Sequence, residues 1–160
     1  MTKINFQARI SDFGLSTILE GTNTQLSICG TPLYSAPQLL KKKGYSYKVD
    51  IWALGIICYE LLMGQTPFHS YEMKDLVAKI NEGKYHVTTR DPLSIECALF
   101  LTQCLQANEQ DRISAQEIME HPFIMGEEIR LTMLDQRSFI NELGFSQTGR
   151  YSETNSALTP

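Results

Sequence analysis

Lys48-Val-Asp-Ile-Trp-Ala-Leu-Gly-Ile-Ile-Cys-Tyr-Glu-Leu-Leu-Met63 is apolar on every side. A helix with no polar stripe has no face to give to water, so this one is expected to be buried all round as the spine of a domain. Asp50 stands at its start, where a carboxylate can accept from unpaired N–H groups and favours the positive end of the helix dipole. Gly64 and Pro67 mark its stop.

Downstream the helical period continues. Met73, Leu76, Val77 and Ile80 recur at i, i+3, i+4 and i+7, which predicts an amphipathic helix from about Tyr71 to Glu82 with Gly83 behind it. A third helix is expected after Ser94, ending near Asn108, and a fourth opens on Ser114-Ala-Gln-Glu117, the pattern of a capping box, with Pro122 ending it. Glu127 to Leu143 predicts one more helix, and residues 145–160, rich in Ser and Thr, predict a disordered tail. Upstream, Ala8 to Ser11 alternates weakly and predicts a short strand. Leu15 to Pro37 has no sustained period and reads as a long loop, which in a compact domain is usually functional or disordered.

The chain's 160 residues suit about one domain, and 42% hydrophobic content is enough to fill a core. A net charge of −4 with no long basic stretch argues against nucleic acid or an anionic membrane as partner. Cys29, Cys58, Cys97 and Cys104 form no C-x-x-C pair and read as reduced thiols, which with the absence of a signal peptide leads to a cytoplasmic expectation. Lys41-Lys42-Lys43 reads as a solvated face. His69, His86 and His121 have no metal-ligand spacing.

Asp12-Phe13-Gly14 alone is a weak motif. It is followed by Gly30-Thr31-Pro32-Leu33-Tyr34-Ser35-Ala36-Pro37, by Asp50-Ile51-Trp52-Ala53-Leu54-Gly55, by Pro67-Phe68, by Asp111-Arg112-Ile113 and by His121-Pro122-Phe123. This ordered series resembles the protein-kinase family from its magnesium-binding turn to the end of its C-terminal lobe, over about residues 8–124. The resemblance implies a mainly α fold, a partial kinase-like C-terminal helical lobe with a short β strand before the Asp-Phe-Gly turn and no N-terminal lobe. It implies ATP and Mg²⁺ as cofactors, with Asp12 on the metal and Phe13 and Gly14 beside it, since a hard cation prefers carboxylate oxygen. Asp12 also reads as an ordinary turn cap. Thr31 and Pro32 resemble the segment that seats a Ser or Thr acceptor of a protein substrate. Ser27 lies where an activating phosphosite commonly falls, and reads equally as an exposed loop serine. Asp50 would hydrogen-bond the catalytic-loop backbone.

Two departures stand out. The family's glutamate after Ala-Pro, which pairs with Arg112, is Gln38 here. That leaves the arginine at most an amide acceptor, so a glutamate restored at this position is expected to stabilise by about 1 kcal/mol or more. Nor does the sequence contain a Gly-x-Gly-x-x-Gly, the strand lysine, the His-Arg-Asp loop or its asparagine, so the catalytic base is expected upstream of Met1. The expectation is a partial serine/threonine kinase domain over 1–125, a helical extension over 126–144 and a tail over 145–160. As given, it would be inactive alone, with a partner needed to cover one exposed lobe face; a non-catalytic kinase-like binding module is the alternative.

Overall fold

The computed structural model describes residues 9–18, 30–87, 93–127 and 133–142. They form seven helices, α1 (Pro37–Leu40), α2 (Lys48–Met63), α3 (Met73–Glu82), α4 (Ile95–Cys104), α5 (Ala115–Met119), α6 (Pro122–Met125) and α7 (Met133–Glu142), with 3₁₀ turns at Phe13–Leu15 and Pro32–Tyr34. The mainly α expectation holds. Of the strand expected over Ala8–Ser11, Arg9–Ser11 take no regular structure, and Ala8 lies outside the described residues. A strand needs a ladder partner, and Ile10 stands 87% exposed, with no strand beside it among the described residues.

α2 is the spine, as its sequence predicts. Ile51, Trp52, Gly55, Ile56 and Tyr59 form its buried face. Trp52 and Ile56 pack with Ala36, Phe68, Leu76, Ile80 and Leu105. Tyr59 packs with Ile95, Ala98, Leu101 and Ile140, and Ile51 with Phe100, Cys104, Ile113 and Ile118. All three parts of the core therefore meet on one helix. Its closest approach is to α4 at Gly55, where a Cβ would stand 2.7 Å from the Cys104 Cβ and 2.9 Å from Leu105 Cδ2. Only a glycine fits that crossing.

Burial all round is not met within these residues: the opposite face is wet, as expected of a lobe with one exposed face. Leu54, Ile57, Leu61 and Leu62 are 41%, 46%, 83% and 40% exposed. Leu54, Ile57 and Leu61 follow helical spacing, so these three make a continuous stripe, whereas Leu62 continues the line of Gly55 and Tyr59 at the end of the helix. Asp50 does not cap the helix either. Tyr47 occupies the N-cap position without a side-chain bond, and Asp50 lies three residues further on, exposed.

α3 starts at Met73, two residues later than expected, and ends on Gly83 in the left-handed region. α4 ends at Cys104, short of Asn108. The capping box is complete: Glu117 N donates to Ser114 Oγ at 3.2 Å and Ser114 N to Glu117 Oε2 at 2.8 Å. Pro122 follows the end of α5 but also opens α6, because a proline at the first helical position lacks only an N–H that would be unpaired anyway. The helix expected over Glu127–Leu143 is observed over Met133–Glu142, while Glu127 itself is non-helical. Residues 145–160 lie outside the described set. No described helix is long and apolar enough to cross a membrane.

Cys58, Cys97 and Cys104 are free thiols. Burial pushes Cys97 and Cys104 up to about 12, which keeps them as thiols and suits packing rather than reactivity. His121 is buried and caps α6, its Nδ1 accepting from Phe123 N at 3.1 Å, an acceptor role open only to the unprotonated nitrogen. Burial lowers its pKa from 6.5, and the charge of Glu96 opposes the shift in part. A depressed folded pKa means that the unfolded chain binds the proton more readily. Its contribution is complete above about 6.5 and is lost as pH falls through the folded value. Melting of wild type minus that of His121→Asn, which keeps a capping side chain without titrating, should therefore shrink from pH 7.5 to below 6. Parallel profiles would rule the effect out.

Candidate functional site

Asp12 holds an uncommon backbone, φ 63° and ψ 74°, in the left-handed region. An aspartate tolerates it better than most residues because its short side chain bonds locally, here accepting from Gly14 N at 3.3 Å through Oδ1. A glycine in such a turn is the usual source of backbone freedom, but the position in the left-handed region is Asp12, not Gly14. The turn is exposed. Phe13 is 67% exposed, so it packs as no switch in this conformation.

One carboxylate oxygen is engaged with Gly14 and no bond is recorded to the other. Magnesium is commonly held by one or two carboxylates plus substrate phosphates. Asp12 fits as one such ligand, and no cluster of three metal-binding side chains occurs among the described residues.

Thr31 precedes the second 3₁₀ turn, exposed, with its hydroxyl capping nothing. Its carbonyl accepts from Tyr34 N at 3.1 Å and Ser35 Oγ at 3.3 Å, and Pro32 sets the first residue of the turn. Tyr34 then ties the turn to the spine by donating to Glu60 Oε2 at 2.7 Å. That bond to a carboxylate raises the phenol's pKa. The sequence reading missed the pair, although Glu60 is the only charged residue in the twelve that follow Val49 and Asp50 in α2 up to Leu62, which was a usable signal.

Behind this turn lies the anchor. Arg112 is 1% exposed. Its Nε and Nη2 donate to Gln106 O at 3.0 and 2.8 Å, Nη1 to Lys48 O at 2.8 Å, and Nη2 to Gln38 Oε1 at 3.1 Å. Its Cζ also sits 5.1 Å from the centroid of the Trp52 ring, which stacks on Phe68. Trp52 is thus more than core filling: its face carries a cation. Burial lowers the Arg112 pKa to about 10, with Glu109 opposing. Arg112 and Gln38 therefore do meet, as the sequence predicts. The amide nitrogen, which it did not foresee, donates to Ala107 O at 2.7 Å.

The structure leaves the other predicted residues apart. Asp50 has no recorded hydrogen bond among the described residues, and removal of water by the surrounding protein raises its pKa despite the side chain's exposure. Ser27 lies outside the described residues.

A proline-set turn tied to a buried helix, with an arginine cage behind it, follows the order of motifs read in the sequence, and the class is clear from comparison. The chain belongs to the protein kinase domain family, which matches residues 1–124. Within that family it is of the eukaryotic serine/threonine type. It is 36% identical over 125 residues to a probable cell cycle serine/threonine-protein kinase CDC5 homolog of Encephalitozoon cuniculi, and 37% over 122 residues to serine/threonine-protein kinase polo of Drosophila melanogaster. It is also 38% identical over 120 residues to human serine/threonine-protein kinase DCLK2. These matches cover 77%, 76% and 72% of this chain but only 26%, 21% and 15% of the relatives, so the chain spans about a quarter of their length or less.

Proposed function

We propose that this chain is the acceptor-seating and helical-lobe portion of a serine/threonine protein kinase domain, with residues 1–125 as the kinase part and α7 in an extension beyond it. The observation that carries the reading is the anchored turn: Thr31 and Pro32 exposed at its start, Tyr34 bonded to Glu60, and Gln38 bonded to Arg112 behind it. A protein Ser or Thr hydroxyl would lie against Thr31. Asp12, with one carboxylate oxygen bonded to no other described residue, would hold Mg²⁺, and Mg²⁺ with ATP supplies charge neutralisation on the phosphates in this family. Asp50, whose carboxylate lacks a recorded partner, would accept from the catalytic-loop backbone.

The groups that position ATP and take the acceptor proton have no match in the sequence. Positioning and charge stabilisation supply nearly all of the catalysis in phosphoryl transfer, so the 160 residues alone should not phosphorylate a protein. Radiolabelled transfer from Mg-ATP to a generic Ser/Thr substrate checks this. Turnover at an ordinary kinase rate of about 1 s⁻¹ that vanished in Asp12→Ala would overturn it. The second reading, a non-catalytic kinase-like binding module, is favoured by the exposed apolar stripe of α2.

A further inference from the structure

We propose that Gln38 is a positioning residue, a neutral amide clamp that holds the Thr31–Leu40 segment through both of its ends, and that a carboxylate is the poorer anchor at this position in this protein. What the segment does rests on the reading above; the clamp rests on geometry alone. The amide is an acceptor at one end and a donor at the other, a combination no carboxylate offers while ionised. Oε1 takes a proton from Arg112 Nη2, and Nε2 gives one to Ala107 O. The orientation is fixed by the partners: turned over, the amide would set NH₂ against guanidinium and oxygen against a carbonyl.

The cage around Arg112 is built of neutral oxygens. Lys48 O, Gln106 O and Gln38 Oε1 take four of its N–H bonds, and the Trp52 face covers the plane. Glu109 is turned to other work, accepting from Ser46 N at 2.8 Å and from the Ser46 hydroxyl. Lys48 Nζ donates to Gln110 O and Arg112 O, closing the same loop from the other side. One side chain thus joins α1 to both Arg112 and the chain just after α4. Replacing its NH₂ by an ionised oxygen would set two lone pairs face to face at the present 2.7 Å. The introduced carboxylate would have to swing toward Arg112 and leave Ala107 O, a part-buried acceptor, without its donor. The sequence-based expectation that a glutamate would stabilise this site is therefore reversed.

The experiment is hydrogen exchange on the 160-residue chain at low concentration from pH 5 to 8, read at Leu39, Leu40 and Lys41, whose N–H groups close α1 onto Ala36 and Pro37. Wild type is compared with Gln38→Glu and Gln38→Met. At pH 7 both variants should lose protection at these amides by about tenfold, the scale of one lost hydrogen bond. With the series extended below about pH 4, where a carboxyl beside Arg112 at last takes its proton, Gln38→Glu should recover, because its protonated carboxyl can donate to Ala107 O, whereas Gln38→Met should stay loose throughout. Arg112, Glu109, Lys48 and His121 are common to all three proteins and cancel in the comparison. Protection in Gln38→Glu equal to or above wild type at pH 7, or falling on acidification as for an ordinary ion pair, overturns the proposal. So does a Gln38→Met that matches wild type. Should Gln38→Met fail to fold, the pH slope of Gln38→Glu decides alone, and neither readout depends on kinase activity.

Discussion

Arg112→Ala should lower the stability of the chain by roughly 3–5 kcal/mol, the cost of breaking a buried charged network from one side. The truncation leaves Lys48 O, Gln106 O and Gln38 Oε1 without their donors at once, and each buried acceptor so stranded costs about 1–3 kcal/mol before water or relaxation recovers part of it. It also strips the cation from the Trp52 face. A domain has only about 5–15 kcal/mol in total, so a large fraction of the variant should be unfolded at 37 °C. Arg112→Lys should recover only a minor part, because an ammonium is a single point of donation and cannot span three acceptors lying around a planar fork. Pulse proteolysis in urea, at concentrations too low for association, reads both. A loss under about 1 kcal/mol for Arg112→Ala would mean that the cage is open to water in solution.

How far the sequence reached differs from element to element, for physical reasons. α3 was legible because its helical apolar spacing and the stop at Gly83 agree, and α2 because a long unbroken apolar run ends on Gly64. The capping box was legible because its two bonds are local, within four residues. The strand over Ala8–Ser11 was misjudged because strand formation depends on a partner elsewhere, which local alternation does not report. The wet face of α2 was legible only as a need for a cover, for a related reason. An apolar surface states what a helix would bury, but not whether something lies against it.

At the site, motif order gave Asp12, Thr31, Pro32, Gln38 and Arg112, and the structure brings the last two into contact. It could not give the bonds to Gln106 O, Lys48 O and Ala107 O. Every residue carries a carbonyl, so side-chain identity says nothing about which carbonyls a folded loop turns inward. Those unreadable acceptors decide the energetics, since they supply most of Arg112's bonds and turn Gln38 from an apparent loss into a two-ended contact.

The largest effect expected in solution concerns the stripe Leu54, Ile57 and Leu61. Purified alone, the 160-residue chain should bind a hydrophobic dye and associate at rising concentration. Burying one such side chain completely is worth about 1.5–3 kcal/mol, so these three partly wet ones together forgo roughly 3–5 kcal/mol, a sizeable part of the stability of a domain. They lie on one helix face, where contact with a second apolar surface would remove them from water in a single step. The opposite face of α2 is already committed to Ile95, Phe68 and Ile113 neighbours in the core, so the helix cannot roll to hide the stripe. Ile57→Gln with Leu61→Gln should cut dye fluorescence and association severalfold. The monomer should lose about 1 kcal/mol, nearly all of it at Ile57, which is more than half covered, because a side chain already in water gives up little on becoming polar. Light scattering with dye titration reads the first, and urea midpoints at low concentration read the second. If the double variant instead unfolds the monomer, the stripe is packed in solution and the face is not free. If the wild-type chain stays monomeric and dye-silent at every concentration, the chain has closed that face by itself, and the case for a binding module built on it falls.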